Sequence, residues 1–405
     1  MSNERQCPLC EKCDSEFLTE LKFAQAATAI LPSEYRIVCC RNCGFVYDDV
    51  PVGADVFRDY YAHSVKYVQS GIGGSGDISN MDRIRYESII KFMEPALKCS
   101  SVSIADIGCG KGGLLRVLKE HGYTSLYGFD PSTGCMDILR GQLGISATCA
   151  EIAELGKCAT KHFDVVVVSN VFEHLYTIHD AIASVDKIVN DGGFVYVDVP
   201  DGSRYNEHFY APFYSFDMEH INHFNVDMMV AAWARHGYEC LKSEELVGTP
   251  VPGRHIPMCR MLFKKTCCVS EMSHRRYDGP IAGIKAFIKK SQAAEKALEV
   301  SHIPVGCCYW GCGAYAKWLL HRFSNISLGR PSLIFDTGAS KKNVESINGV
   351  AIVNPSELNN FGDKYRPVVI TSVLYEQQIL ENLGRVGWRG PIYSGSTGLQ
   401  LCSCE

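Results

Sequence analysis

The stretch Asp106-Ile107-Gly108-Cys109-Gly110-Lys111-Gly112 decides the fold of this chain. It follows the apolar run Ser103-Ile104-Ala105 and precedes a helix-like stretch at residues 114–118, and a second short strand then ends in Gly128-Phe129-Asp130. Glycines in such a turn let the backbone approach a nucleoside, and an acid at the carboxyl end of the next strand can hold ribose hydroxyls. The pattern therefore predicts a βαβ unit with a nucleoside-bearing cofactor.

The spacing of the glycines favours one nucleoside over another. A dinucleotide loop places Gly-x-Gly-x-x-Gly directly after the strand, whereas this loop is tighter and has an acid two residues ahead of it. It resembles motif I of the class I S-adenosylmethionine (SAM) methyltransferases, in which the acid lies near the charged amino-acid end of the cofactor. The alternative is a glycine turn that binds nothing. With the ends of the later strands, the predicted SAM-binding residues are Asp106, Gly108, Cys109, Gly110, Asp130, Pro131, Glu151, near the adenine amino group, and Asn170.

Length and composition limit the function classes. A chain of 405 residues is expected to form two or three domains. A formal net charge of −5 without a basic block argues against a nucleic-acid partner. No apolar run is long enough to span a bilayer, and the first residues do not resemble a signal peptide. We expect a cytoplasmic protein, a monomer or small homo-oligomer, that acts on a small molecule and not at a membrane.

Four of the 20 cysteines form two C-x-x-C knuckles, Cys7-Pro8-Leu9-Cys10 and Cys40-Arg41-Asn42-Cys43. Two such knuckles can present four thiolates tetrahedrally, as a structural zinc site requires. Unbound thiols, or iron in a rubredoxin-like site, are the alternatives. The prediction is a closed zinc site at Cys7, Cys10, Cys40 and Cys43 that serves folding and not chemistry.

The remaining chain alternates helical and strand patterns typical of a parallel α/β sheet. We predict an α/β protein with a class I SAM methyltransferase Rossmann-like sheet, an amino-terminal zinc module and a second, smaller carboxyl-terminal Rossmann-like domain. Residues 56–81, which are rich in tyrosine and glycine, form an arm that is expected to be a loop or lid. The predicted segments are a zinc module (1–55), the arm (56–81), the methyltransferase domain (82–265), a helical connector (266–301) and the carboxyl-terminal domain (302–405).

This order of parts resembles the nucleotide-sugar C-methyltransferase family over nearly the whole chain. In that family the SAM domain and the carboxyl-terminal domain enclose a nucleotide-linked keto-sugar, a base removes a proton beside the ketone, and the enolate attacks the SAM methyl. The resemblance implies that Glu219-His220 is the catalytic pair, with His220 as the base. It also implies an upstream active-site histidine at His174 and an arm tyrosine at Tyr67 or Tyr61.

The aromatic and histidine-rich segment around this pair is the predicted substrate wall, in which Tyr214 and His223, together with Tyr61, are candidate substrate contacts. The family usually reads Tyr-x-Glu-His, whereas this chain has Asp217 in place of the tyrosine. O-methylation of a sugar or another small metabolite therefore stays open.

Two further alternatives come from other classes of protein. A NAD-dependent oxidoreductase would use a second glycine fingerprint at Gly311 and Gly313 with Asp336. A non-catalytic nucleotide-binding module would keep the loops and need no base.

Overall fold

The computed structural model describes residues 5–63, 78–266, 279–300, 304, 306–323, 330–338, 344–360, 366–395 and 400–402. Among these residues, no helix combines the length and the apolar character needed to cross a bilayer. The chain forms two compact units: one of Met1–Phe17, Val38–Arg204 and Glu219–Gly283, the other of Leu18–Ile37, Tyr205–Met218 and Ile284–Glu405. These units group the chain differently from the five predicted segments, whose independent folding stays a prediction.

The first 266 residues contain eighteen helices and strands in the part that the structure describes, besides short 3₁₀ and π turns. In chain order they are β1 (Ser15–Lys22), β2 (Glu34–Cys40), β3 (Val46–Asp49), α1 (Ala54–His63), α2 (Asn80–Phe92), β4 (Ile104–Ile107), α3 (Gly113–Glu120), β5 (Leu126–Asp130), α4 (Thr133–Ile138), β6 (Ser146–Cys149), α5 (Leu155–Cys158), β7 (Phe163–Ser169), α6 (Ile178–Asp186), β8 (Val189–Pro200), β9 (Asn222–His223), α7 (Val226–Ala234), β10 (Tyr238–Val251) and β11 (Arg254–Lys265).

The core of the first unit is a seven-stranded sheet in the order β10-β11-β8-β7-β4-β5-β6. Strands β8, β7, β4, β5 and β6 are parallel, and β11 is antiparallel to β8. The chain proceeds from β4 to β5 and β6 on one side, and then crosses to β7 and β8 on the other. Because open α/β sheets bind ligands where the strand order reverses, the carboxyl ends of β4 and β7 are the expected site. The predicted parallel α/β sheet is confirmed.

Strand β7 shows why this sheet is buried on both faces. Its consecutive valines alternate between two separate apolar clusters, Val165 and Val167 in one and Val166 and Val168 in the other. All four are fully buried, and each contributes on the order of 1.5–3 kcal/mol by leaving water. A continuous apolar run, and not an alternating one, is what a parallel strand between two helical layers requires.

The hairpin of β10 and β11 was not predicted from the sequence. Most residues of β10 are exposed or half-buried, and its run Lys242-Ser243-Glu244-Glu245 is charged. The strand is held by long antiparallel pairing with β11, which in turn pairs with β8. An edge strand with one solvated face has no apolar run to reveal it.

The amino-terminal strands belong to a second sheet with the order β1-β2-β3-β9. The arm that follows is helical from Ala54 to His63 and not a loop, so that part of the prediction is wrong. The helix contains no glycine or proline and has Asp55 in its first turn, where a carboxylate interacts favourably with the helix dipole. Local helix formation therefore overrides the loop-like polar composition.

The elements that complete the chain are α8 (Gly279–Val300), β12 (Cys308–Trp310), α9 (Ala314–Arg322), β13 (Leu333–Phe335), β14 (Ser346–Ile347), β15 (Val350–Val353), β16 (Val368–Ile370), α10 (Glu376–Arg385), β17 (Ile392–Ser394) and β18 (Gln400–Leu401). The seven strands form another sheet, in the second unit, with the order β14-β15-β13-β12-β16-β17-β18, and strands β15, β13, β12, β16 and β17 are parallel. Its core includes Cys308, Trp310, Phe335 and Ile370.

Candidate functional site

The glycine loop after β4 is fixed by its backbone. The amides of Gly108 and Cys109 donate to the carbonyl oxygen of Phe129 at 2.8 and 3.1 Å. Gly108 has a φ of 69°, and a Cβ built there would lie 2.6 Å from a methyl carbon of Val171. Only glycine satisfies both the left-handed backbone and this close approach. The loop is thereby held at the carboxyl edge of β4, beside the end of β7.

Asp130 closes the loop from the end of β5. Its carboxylate accepts hydrogen bonds from the amides of Gly110 and Ser132, both at 2.9 Å. Burial raises the pKa of Asp130, and these two backbone bonds oppose that rise. The carboxylate is therefore rigidly placed beside the glycines, where a ribose would lie.

Asp106, at the start of the glycine loop, is a second buried carboxylate. It is 4% exposed, and no described residue donates a hydrogen bond to it. Burial raises the pKa of Asp106 to about 8, against the attraction of Arg85. A buried carboxylate without a donor is costly unless a ligand supplies one.

These features fit a nucleoside cofactor with a cationic end. Gly110, with a φ of 52°, faces open space, since a Cβ built there would meet no atom within 4 Å. Asp106 would meet a charged amino group, and Asp130 would meet the ribose hydroxyls. Pro131 and Glu151 follow β5 and β6 on the same carboxyl edge, and burial raises the pKa of Glu151.

Asn170 directly follows β7 and has a φ of 51°, which is uncommon for a residue other than glycine. Its amide donates to Oδ1 of Asp198 at 3.0 Å. Oδ1 of Asp198 also accepts from Ser169 Oγ at 2.7 Å, and Oδ2 accepts from Tyr196 at 3.0 Å. Sequence reasoning missed Asp198, although an acid within the apolar run of β8 was a visible signal.

The loop after β7 brings His174 against two other predicted catalytic residues. Nδ1 of His174 lies 2.9 Å from the carbonyl oxygen of Glu219, which assigns the ring hydrogen to Nδ1 and makes Nε2 the unprotonated nitrogen. The rings of His174 and His220 meet edge to face with centroids 4.8 Å apart. The structure therefore unites His174, Glu219 and His220 in one cluster.

Glu173, the residue before His174, completes this cluster. It is 2% exposed, and its Oε1 lies 3.9 Å from Nε2 of His174. Burial raises the pKa of Glu173 to about 7, and a positive charge on His220 would lower it.

The described part of the arm reaches the same cluster through two tyrosines. The hydroxyl of Tyr61 lies 3.0 Å from Nδ1 of His174, and that of Tyr60 donates to Glu219 Oε1 at 2.9 Å. Tyr67 lies outside the described residues.

The structure gives the two other predicted substrate contacts, His223 and Tyr214, further partners. His223 is 1% exposed and its Nε2 lies 3.0 Å from Oδ1 of Asp48, in a buried pair. Tyr214 belongs to the second unit, where its ring meets that of Tyr210 edge to face at 6.4 Å.

Arg5 fixes the loops that carry the two histidines, a role that sequence reasoning missed. Its guanidinium donates to the carbonyl oxygens of Leu175 and Tyr176, which follow His174. It also donates to the carbonyl of Ile221 at 3.1 Å and to the side chain of Asn222 at 3.0 Å, both just after His220. Burial lowers the pKa of Arg5 to about 10.

The four knuckle cysteines converge. Sγ of Cys7 lies 3.6 Å from that of Cys43, and Sγ of Cys10 lies 3.4 Å from that of Cys40. All four sulfurs lie within 4.8 Å of one another. Zinc–sulfur bonds of about 2.3 Å give a tetrahedron with edges of about 3.8 Å, so the thiols fit a closed zinc site.

The second glycine fingerprint shows the same local arrangement as the first. Asp336 accepts hydrogen bonds from the amides of Cys312 at 2.8 Å and Gly338 at 2.7 Å. Gly311, with a φ of 108°, packs so tightly that a built Cβ would lie 1.9 Å from Ser372 Oγ. Packing alone thus explains the glycine at 311, while a Cβ at Gly313 would meet open space.

Part of the chain is similar in sequence to known methyltransferases. Residues 81–243 match the family model described as a methyltransferase domain. A ubiquinone biosynthesis O-methyltransferase of Coxiella burnetii (strain RSA 493 / Nine Mile phase I) is 27% identical over 131 residues, which cover 31% of this chain and 53% of that protein. This chain thus spans about half the length of the curated relatives it matches.

Similar solved structures include two methyltransferases. An N-methyltransferase from Bradyrhizobium japonicum WM9, in complex with S-adenosyl-L-homocysteine, is 14% identical with a TM-score of 0.37, covering 51% of this chain and 96% of that one. The magnesium protoporphyrin IX methyltransferase from Synechocystis PCC 6803, with bound SAM, is also 14% identical with a TM-score of 0.37, covering 53% and 97%. The match to the methyltransferase family model covers residues 81–243, fewer than half of the 405 residues.

Proposed function

We propose that this protein transfers the methyl group of SAM to a small-molecule acceptor. Two carboxylates at the glycine loop carry the proposal: Asp106, which is buried and receives no hydrogen bond from a described residue, and Asp130, which closes the loop. SAM supplies an electrophilic methyl on a sulfonium. Eight residues hold that cofactor at the carboxyl edge of the sheet: Asp106, Gly108, Cys109, Gly110, Asp130, Pro131, Glu151 and Asn170.

The acceptor in this proposal is a nucleotide-linked keto-sugar that is methylated at carbon. Carbon is a nucleophile only after a proton beside the ketone is removed, so a base is essential. His220 is that base, and Glu219 and His174 position it. The His174–Glu219 contact at 2.9 Å supports a fixed ring orientation, and Tyr61 lies beside it.

A second candidate is O-methylation, which the name of the Coxiella burnetii relative favours. An acceptor hydroxyl needs only a base near the transferred methyl, and the same histidines serve. The absence of a tyrosine at Asp217 agrees with this candidate.

The four knuckle cysteines are proposed to hold a structural zinc ion. Their sulfur separations of 3.4 and 3.6 Å support this. Arg5 lies two residues before Cys7, so the same module also supports the histidine loops.

One experiment tests the reaction and the acceptor atom together. The full chain is incubated with methyl-labelled SAM and a panel of nucleotide-linked sugars in deuterated water. We expect label in a sugar product and deuterium exchange beside the ketone. Methylation without exchange would favour oxygen, and no transfer together with no calorimetric binding of SAM would refute the proposal.

The base is tested with His220→Asn, for which His255→Asn is the matched control. His255 is exposed on the β10–β11 hairpin, where it contacts Thr249. We expect His220→Asn to abolish turnover while the affinity for SAM stays unchanged, and His255→Asn to retain both. Full turnover in His220→Asn would remove His220 as the base.

A further inference from the structure

Glu173, His174 and His220 form a second group of metal-binding side chains in the described part of the chain, separate from the four cysteines. One nitrogen or oxygen atom from each lies within 4.8 Å of the others. Two imidazoles and one carboxylate are a ligand set that zinc and similar divalent ions accept, with a further position left open.

The Glu173 carboxylate points independently to a ligand. It is 2% exposed, and its Oε2 accepts no hydrogen bond from the residues that the structure describes. Buried carboxylate oxygens are ordinarily paired, because an unpaired one loses its hydration without compensation. A cation between Glu173 and the histidines would satisfy this oxygen or its neighbour Oε1.

The surroundings of His174 match those of a metal-bound histidine. Such a ligand donates its other ring hydrogen to a backbone carbonyl or a carboxylate, which fixes the tautomer. Nδ1 of His174 lies 2.9 Å from the Glu219 carbonyl oxygen, and Nε2 lies 3.9 Å from Glu173 Oε1. The nitrogen that would bind the ion is the one beside the carboxylate.

The spacing requires only small movements. Bonds of about 2.1 Å to a tetrahedral ion place its ligand atoms about 3.4 Å apart. The ligand atoms lie within 4.8 Å of one another, so side-chain rotations that shorten the longest separation by up to about 1.4 Å would complete the site. His220 is half-buried.

We propose that Glu173, His174 and His220 bind one divalent transition-metal ion. Binding itself does not depend on the proposed methyl transfer. Its consequence for turnover does: an imidazole whose lone pair is bound to an ion cannot accept a proton, so the ion inhibits the reaction in which His220 is the base.

Binding is measured by titrating Co²⁺ into the full chain after its cysteine site has been loaded with zinc. We expect one added cobalt ion with weak ligand-field absorption and without the intense thiolate-to-cobalt band. Glu173→Gln and His220→Gln should each weaken this binding at least about tenfold, the scale on which even the partners of metal ligands act. The matched control is His121→Gln, which removes an exposed histidine 2.8 Å from Glu87 and should leave binding unchanged.

The outcomes separate the two proposals. Unaltered cobalt binding in Glu173→Gln and His220→Gln, or a thiolate band, would overturn the site. His220→Gln keeps the test decisive should Glu173→Gln fail to fold, because His220 is half-buried. Inhibition of methyl transfer over the same range of Co²⁺ supports both proposals, whereas activation would support the metal site and overturn His220 as the base.

Discussion

Replacement of Arg5 tests whether the amino-terminal module holds the histidine loops in place. Arg5 is 4% exposed, and its guanidinium donates five hydrogen bonds. The acceptors comprise four backbone carbonyls and the side-chain oxygen of Asn222. In Arg5→Met the apolar stem is kept while these acceptors lose their donor.

The expected cost follows from what remains buried. The carbonyl oxygen of Leu175 still accepts from Asn222 Nδ2 at 2.7 Å, so it stays satisfied. The carbonyl oxygen of Ile221 likewise keeps the amide of Asp48 as a donor at 3.0 Å. The oxygens of Asp48, Tyr176 and Asn222 lose their donor, and because each buried acceptor left unsatisfied costs about 1–3 kcal/mol, the three together cost at least about 3 kcal/mol. We expect Arg5→Met to lower the free energy of unfolding of the first unit by about that amount.

The assay is denaturant unfolding of the full chain, followed by far-UV circular dichroism, with methyl transfer measured in native buffer. The matched control is Arg83→Met, because Arg83 pairs with Glu120 at 2.7 Å while both side chains are about 40% exposed. Exposed pairs contribute only about 0–1 kcal/mol. Turnover should fall in Arg5→Met and persist in Arg83→Met.

The reasoning fails if the two variants shift the denaturation midpoint equally. It also fails if Arg5→Met is strongly destabilised yet keeps full turnover per folded molecule, because the histidine loops would then not depend on Arg5.

Three further predictions concern the cofactor loop and the metal module. Asp106, with its pKa raised to about 8, binds a proton in the folded state that it releases near pH 4 when unfolded. The free energy of unfolding of the ligand-free protein should therefore fall, by up to about 1.4 kcal/mol per pH unit, as the pH rises towards 8. Denaturation at several pH values should show a flatter dependence for Asp106→Asn. An unchanged slope in this variant would contradict the raised pKa of Asp106. Gly108→Ala should weaken SAM binding in calorimetry and destabilise the fold by about 1–3 kcal/mol. The matched control is Gly122→Ala, which should have a smaller effect, because Gly122 also has a positive φ but a Cβ built there would meet open space. Equal effects of the two substitutions would show that the close approach at Gly108 does not matter. Cys43→Ser should remove stoichiometric zinc in metal analysis while calorimetric SAM affinity persists, and loss of both would mean that the module supports the cofactor site.

The sequence revealed the parts of the site that are local in the chain. The loop at residues 106–112 and Asp130 lie within one βαβ unit, so glycine spacing and strand pattern suffice to identify them. The knuckle cysteines were found in the same way, since each C-x-x-C pair is local. The loop prediction for the arm failed because polar composition does not prevent a helix at Ala54–His63.

Contacts between distant segments were out of reach of the sequence. Arg5 meets residues more than 170 positions away, and no pattern near it indicates a buried guanidinium. Glu173 lies in the loop after an apolar strand and Asp198 lies within another. Only the fold shows that Oε2 of Glu173 has no hydrogen-bond partner among the described residues, while the carboxylate of Asp198 accepts three hydrogen bonds.

By itself, the sequence determined the parallel α/β sheet and the glycine loop after β4, because strand periodicity and glycine backbone freedom act over a few residues. The tertiary structure alone decided that His174 and His220 meet beside Glu173, while His223 is buried against Asp48. Histidines only three positions apart receive different environments because β9 begins between them, at Asn222, and pairs with β3. Strand pairing with a distant segment, and not local residue type, sets the burial of each side chain.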